Sequence, residues 1–529
     1  MSSLYETKQF AFDWVDENEQ RLSDFDMEIW RYAEPAWREY RSAKAYVDLL
    51  RDEGFEVEAG SGEMPTAFMA SWTQGSGGPV IGSYAEYDAV PGNSQQAVPY
   101  RAPREGLHPY AAGHTDPHSM LGVGALGGIL AAKATMEKYN IAGTLKFFGE
   151  PAEKVRGSKP IHAARGYYDD MDAAISFHPM FAMPYSNTVR WDTHCGAGYG
   201  AIYTFTCDSP ATWLGTAGGS IVQGYHAGAR VPGASDAVVQ MYMLGKTLKE
   251  HVLASGTSWT LNEAILNIGQ ATADNLPAGM SQIMYMSRVP NLEMAERIMT
   301  GLDHIAESVA KLAHCSWKRD WVTKSRPGLA NHAIARTTYR NLETVGAPKW
   351  EGEAVRLAQA IQKNVGLKPM EKPYLPDIEA LITPEEAERR VRRILPPGQM
   401  HYTSDDYTEY CWHAPTVRLT VARPILSQPD GGFAYPDWVV NALGGLKPTI
   451  APMLDVACQV IGMTAVDLLT DGTSLATAQA EFVERTGGGK GGTKWIPPLC
   501  DYAPPIHFRW PEYVETVRGR EWVIPTMPA

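Results

Sequence analysis

The residues of this chain best suited to chemistry stand in three short stretches. These are Gly113-His114-Thr115-Asp116-Pro117-His118, Gly149-Glu150-Pro151-Ala152-Glu153-Lys154 and Phe177-His178-Pro179. They supply one carboxylate (Asp116), two imidazoles (His118 and His178) and a spare carboxylate (Glu153). An oxygen and two nitrogens suit an open metal site, and a carboxylate beside it suits a general base. Asp116 and His118 lie two apart in a loop punctuated by Gly and Pro. That spacing turns both side chains toward one point if the segment is extended.

Each residue also has a plainer reading when taken alone. Asp116 precedes a helix and would serve as its cap. Glu150, Glu153 and Lys154 would form a solvated charge run. His178, at a strand end, would be structural, and His114 would pack beside the loop. Only the joint occurrence of these residues in a fixed order favours the site.

The elements that must position them follow from periodicity. The first fifty residues have apolar positions at helical spacing, and Gly54 ends the second helix. Phe55–Glu58 and Pro79–Tyr84 read as strands, the latter running into the loop Glu86-Tyr87-Asp88-Ala89. Leu121–Tyr139 is predicted as a buried helix, Gly143–Gly149 as a strand leading to Glu153, and Ala173–Phe177 as a strand ending at His178. Alternating strands and helices indicate an α/β sheet, which places functional groups at the carboxyl ends of its strands.

Between about 189 and 325 the pattern changes to α+β. Gly198–Thr206 and Gln282–Arg288 read as strands, Ala237–His251 and Met294–Ala313 as helices. Helices over Glu353–Val365 and Thr449–Leu469 then return to the first unit. Glu484–Gly492 and the Pro-rich tail read as loop and surface wrapping. The expected organisation is a catalytic α/β domain with a central sheet flanked by helices, formed by residues 1–188 and 326–529. An inserted α+β lid and dimerisation domain occupies 189–325.

Composition narrows the functional class. At 529 residues the chain is too long for one ordinary core. A formal net charge of −13 argues against a nucleic-acid partner, which needs a basic face. The cysteines, Cys195, Cys207, Cys315, Cys411, Cys458 and Cys500, form no CxxC pair and read as reduced thiols of a cytoplasmic protein. The polar, acidic start resembles no export signal. No run of eighteen apolar residues is present, so no membrane span is expected.

The chain resembles the aminoacylase/carboxypeptidase family of dinuclear metallohydrolases, in its amidohydrolase branch. The resemblance rests on Glu86–Ala89, the 113–122 loop, Phe148–Glu153, Tyr168–Ala174 and His178-Pro179. It continues through Gly224–Asp236, Asn275–Pro290 and Ser404–Trp412. It implies that Asp116 bridges two metals, that His118 and His178 are further ligands, and that Glu153 is the general base. It also implies a lid histidine, His226, that acts across a homodimer on the substrate carbonyl, and lid residues Asn275 and Arg288 that contact the substrate.

Two departures stand out. The family's second glutamate, a ligand of the first metal, is Lys154 here. The family's late histidine, shortly before a Trp, is missing from Ala434-Tyr435-Pro436-Asp437-Trp438. Both changes fall on the first metal and spare the second. A divalent ion plus one glutamate carries a single net positive charge, as does a lysine ammonium. Lys154 is therefore expected to pair with Asp116 and Glu153 in that metal's place.

The sequence thus points to a hydrolase of an amide or related C–N bond in a small molecule such as an aromatic acyl-amino acid or aryl amide. It would use one divalent ion, zinc or alternatively manganese, with Lys154 and His226 stabilising the oxyanion. Two alternatives stay open: a lyase or isomerase using Lys154 and Glu153 as acid and base, and a non-catalytic small-molecule-binding relative.

Overall fold

The computed structural model describes residues 4–105, 111–180, 184–207, 232–251, 259–269, 277–429, 432–508, 510, 512–517 and 519–523. Its centre is a seven-stranded mixed sheet flanked by helices, as the sequence predicts. The strands are β1 (Glu56–Ala59), β2 (Phe68–Gln74), β3 (Val80–Ala85), β4 (Gly143–Gly149), β5 (Ala173–Met180), β6 (Thr188–Val189) and, later in the chain, β12 (Thr416–Ala422). Their order is β1-β2-β4-β3-β5-β12-β6. The four central strands β4, β3, β5 and β12 are mutually parallel. Covered on both faces, they read as nearly unbroken buried runs, and every residue of β12 is buried.

Helix α1 (Leu4–Tyr32), α2 (Tyr40–Asp52), α3 (His118–Tyr139) and the helix Lys447–Thr470 supply much of the covering layers. The last two are long and apolar enough to cross a bilayer by composition alone, but both are buried inside the fold. Glycines allow α3 to approach its neighbours closely. A Cβ at Gly127 would lie 2.4 Å from Cys458 Sγ, and one at Gly124 would lie 2.8 Å from the Phe177 ring. This packing fixes the helix whose first residue is His118.

A second sheet is built from β7 (His194–Thr206), β8 (Thr260–Asn267), β9 (Met280–Val289) and β10 (Ser316–Ser325), in the order β10-β7-β9-β8 with every pairing antiparallel. Helices Ala234–His251 and Leu292–Leu312 pack on it around a separate apolar core. One strand comes from outside this stretch: β11 (His401–Ser404) pairs in parallel with β7.

The tail departs from the loop expected. Strands β13 (Glu512–Thr516) and β14 (Gly519–Val523) form a hairpin, and the helix Gly472–Thr486 runs into the segment read as loop before Gly487 ends it in left-handed geometry. Trp510 packs into a cluster with Trp37, Ile202 and Val322, so the tail is wedged between the two units. Strand β5 also continues past Phe177 to Met180, which places His178 inside the strand. All six cysteines are free.

Candidate metal centre and active site

The carboxyl ends of the parallel strands bring the chemistry together. β3 delivers Glu86 and Asp88, β4 delivers Glu150 and, a turn later, Glu153 and Lys154, and β5 carries His178. His118 opens α3, its backbone N–H donating to the Asp116 carbonyl at 2.9 Å. Parallel strands from distant parts of the chain thus converge on one edge.

Hydrogen bonds fix the tautomers of both imidazoles. His118 Nδ1 donates to Asp88 Oδ1 at 2.6 Å, and His178 Nδ1 donates to the Pro179 carbonyl at 2.6 Å. Each ring therefore turns Nε2 toward Asp116. His118 Nε2 lies 3.6 Å from one Asp116 oxygen, and His178 Nε2 lies 3.7 Å from the other. Glu86 and Glu153 each place an oxygen close to His118 Nε2, at 3.3 and 3.4 Å.

Three of these atoms, His118 Nε2, Asp116 Oδ1 and Glu86 Oε2, are buried without a hydrogen-bond partner. Ligand atoms on a tetrahedral ion with bonds of about 2.0–2.2 Å sit roughly 3.3 Å apart. Orphaned atoms at this spacing fit a divalent cation. Asp116, His118 and Glu153 form one set whose ligand atoms lie within 4.8 Å of one another, and Glu86, His118 and His178 form another.

Electrostatics agree with that fit. Burial opposes charge on His118, but Asp116 and Asp88 outweigh it and push its pKa up to about 10. The same negative potential attracts any cation. Burial, aided by Arg418, pushes His178 down to about 4, so it stays neutral and able to ligate.

Lys154 occupies the middle of this constellation. Its Nζ bonds Asp116 Oδ2 directly and lies 3.3 Å from Glu153 Oε2. Its backbone N–H donates to Asp88 Oδ2 at 2.8 Å. Burial works against the ammonium, but Asp116 and Glu153 hold it protonated, well above the ordinary lysine range. Asp116 is in turn held well below the carboxylate range: its burial is overcome by Lys154, His118 and His178. The turn Glu153–Val155 that presents these side chains is bracketed by Ala152 and Arg156, both left-handed at φ 60° and 54°. Non-glycine residues there carry strain, which clusters at functional sites.

Beneath the ligands lies a charged layer that sequence reasoning missed. Lys159 Nζ is fully buried and bonds Glu86 Oε1 and Asp406 Oδ1, each at 2.7 Å. Arg418, inside β12, pairs with Asp405 and donates to Ser176 Oγ at 2.6 Å and Tyr84 Oη at 2.8 Å. Glu150 accepts from His162, Tyr168 and Tyr410. The available signal was the pair of segments Glu86–Ala89 and Ser404–Trp412, which are rich in carboxylates yet lie within an otherwise apolar framework.

Of the remaining expected residues, Arg288 lies on β9 in the second sheet, half-buried. His226 and Asn275 lie outside the described residues. His114 is buried against the Ile29 carbonyl and belongs to the packing beneath the loop. The stretch that lacks the late histidine leads into the helix Asp437–Gly444. Asn441 of that helix reaches the loop at Asn93, so the backbone passes near Gly113 without supplying an imidazole.

An open α/β sheet with imidazoles and carboxylates at its carboxyl edge, accompanied by a second antiparallel sheet, defines the aminoacylase/carboxypeptidase class of metallohydrolases. Within it the chain is a homologue of a p-aminobenzoyl-glutamate hydrolase polypeptide. That Escherichia coli (strain K12) protein is 28% identical over 363 residues, covering 68% of this chain and 70% of its own. Thermostable carboxypeptidase 1 of Saccharolobus solfataricus is 28% identical over 173 residues, 32% of this chain and 42% of its own. The aminobenzoyl-glutamate utilization protein from Klebsiella pneumoniae shares the fold, with a TM-score of 0.52 at 13% identity over 86% of this chain and 98% of that one. No family model matches the chain.

Proposed function

We propose that the protein is a metal-dependent hydrolase of an amide or related C–N bond in a small molecule such as an aromatic acyl-amino acid or aryl amide. The observation that carries this reading is the orphaned Nε2 of His118 facing Asp116, Glu86 and Glu153. Homology to an aminobenzoyl-glutamate hydrolase and a carboxypeptidase supports it.

Asp116, His118 and His178 would hold one divalent ion. Zinc suits these nitrogen and oxygen donors, with manganese the alternative. When bound, such an ion acidifies water and polarises a carbonyl. Glu153, beside His118, takes the proton from the attacking water and returns it to the leaving amine. The Lys154 ammonium and His226 stabilise the negative charge that develops on the carbonyl oxygen. Asn275 and Arg288 hold the substrate, Arg288 through the paired donors that suit a carboxylate.

The full reading is of a cytoplasmic homodimer joined through the 189–325 unit, its free cysteines suiting a reducing compartment. A lysine acting as base or nucleophile finds no support in an ammonium engaged by two carboxylates. The test is turnover of N-benzoyl amino acids and aryl amides by protein of known metal content, before and after chelation. Metal-replete protein that cleaves none of them, in a panel spanning acidic, basic and apolar amino acids, overturns the proposal.

A further inference from the structure

Arg156 is the least satisfied cation among the described residues. It is 2% exposed, yet its Nε and Nη1 are buried without a hydrogen-bond partner, and only Nη2 is engaged, by the Ser404 carbonyl. It also adopts a left-handed backbone at φ 54°, which costs a residue bearing a Cβ. A buried guanidinium with two idle nitrogens is expensive unless something else meets it.

Its surroundings show where that partner would sit. The Arg156 side chain lies over β7 at Gly198, where an added Cβ would stand 3.1 Å from Arg156 Cδ and 3.1 Å from Ser404 Oγ. Across the sheet, Gly198 is paired directly with Arg288. Residues opposite one another in an antiparallel pair present their side chains on the same face. Arg156 therefore occupies the face from which Arg288 projects, and Gly198 leaves room for it to do so. The two charges are mutually felt: Arg156 is the foremost influence lowering Arg288, to about 10, with burial next and Glu153 opposing. Ser404 Oγ, at the same spot, is likewise buried without a partner.

We propose that Arg156, together with Arg288 and Ser404, forms a doubly cationic subsite beside Glu153 that binds a small molecule carrying two acidic groups. This rests on the amide-hydrolase reading for its place in catalysis and narrows the substrate class. A second guanidinium supplies a further planar fork and a second positive charge, so a dicarboxylate gains an interaction that a monocarboxylate lacks. Arg156 is a specificity-determining residue in this scheme, while the chemistry stays with Glu153.

The experiment is calorimetric titration of metal-replete protein with succinate and with butyrate, which match in carbon count and differ in charge. Succinate is expected to bind about 10-fold more tightly than butyrate. Arg156→Gln should erase that preference while leaving butyrate affinity within about twofold, and Arg156→Lys should keep part of it. Equal affinities in the unaltered protein, no measurable succinate binding, or an undiminished preference in a folded Arg156→Gln protein each overturn the proposal. The comparison in the unaltered protein stands even if Arg156→Gln does not fold, as its melting temperature will tell. Binding needs no turnover, so failure here leaves the amide-hydrolase reading intact, and a catalytically silent protein that prefers succinate sinks only that reading.

Discussion

Asp88 Oδ1 lies 2.6 Å from His118 Nδ1, and this contact decides which nitrogen of the imidazole faces the site. The other Asp88 oxygen accepts the Lys154 backbone N–H at 2.8 Å. One fully buried carboxylate thus orients both the proposed ligand and the lysine beside it.

Asp88→Asn should loosen that ring and lower its basicity. Metal affinity, measured by chelator competition, is expected to fall by about 10–100-fold, the usual cost of losing such a supporting partner. Unchanged affinity would show that His118 is held in place without Asp88.

Metal analysis of the purified protein should give about one divalent ion per chain, the open pattern of three protein ligands and a water. Lys154→Glu should not raise the count to two, because no histidine arrives from the 434–438 stretch. Two well-occupied ions in either protein would contradict the assignment of Lys154 to the first metal's place.

Lys154→Met removes the charge that balances Asp116 and Glu153. Turnover should fall. The melting temperature should also drop, by an amount equivalent to on the order of 1 kcal/mol. The stability effect stays modest because the Lys154 and Asp116 side chains remain 29% and 25% exposed. A variant with unaltered turnover and melting would reduce the ion pair to ornament.

Glu153→Gln should retain metal and fold yet lose about 10²–10⁴-fold in turnover, the typical contribution of a general base. Near-normal rates in the metal-replete variant would move the base elsewhere.

Asp26 offers a pH test away from the site. It is fully buried in α1, and burial pushes its pKa up to about 8, against a smaller pull from Ser119. The folded protein therefore keeps Asp26 neutral while the unfolded chain ionises it near the ordinary value of 3.8. Between those two values the unfolded state binds fewer protons, so this group makes stability fall as pH rises, by up to roughly a kcal/mol per pH unit, and the loss levels off above the folded pKa. Asp26→Asn should flatten that decline and be relatively more stable at pH 8 than at pH 4. Parallel denaturation profiles for the two proteins would refute the assignment.

Residue identity and local pattern were enough to set the cast of the site and the frame that carries it. Asp116, His118, Glu153 and His178 follow loops and strands whose apolar runs mark a buried parallel sheet, because such strands must be hydrophobic on both faces. The Lys154 replacement and the absent late histidine were equally legible, since they are matters of residue identity alone. Helix α3 was readable from its unbroken apolar composition, though the reason for its glycines appears only where Cys458 and Phe177 press against it.

How the charges are shared was settled by the packed fold and by nothing local. That Lys154 turns inward to Asp116, that Lys159 bridges Glu86 to Asp406 across 247 positions of sequence, and that Arg418 reaches Asp405 from within a buried strand depend on which strand ends meet. No short pattern encodes such a pairing: a buried charge is tolerable only beside its partner, and the sheet order supplies that partner from elsewhere in the chain. The same holds for Arg156, where sequence shows an arginine in a polar turn and only the packing of that turn against β7 shows two guanidinium nitrogens buried with nothing to bind.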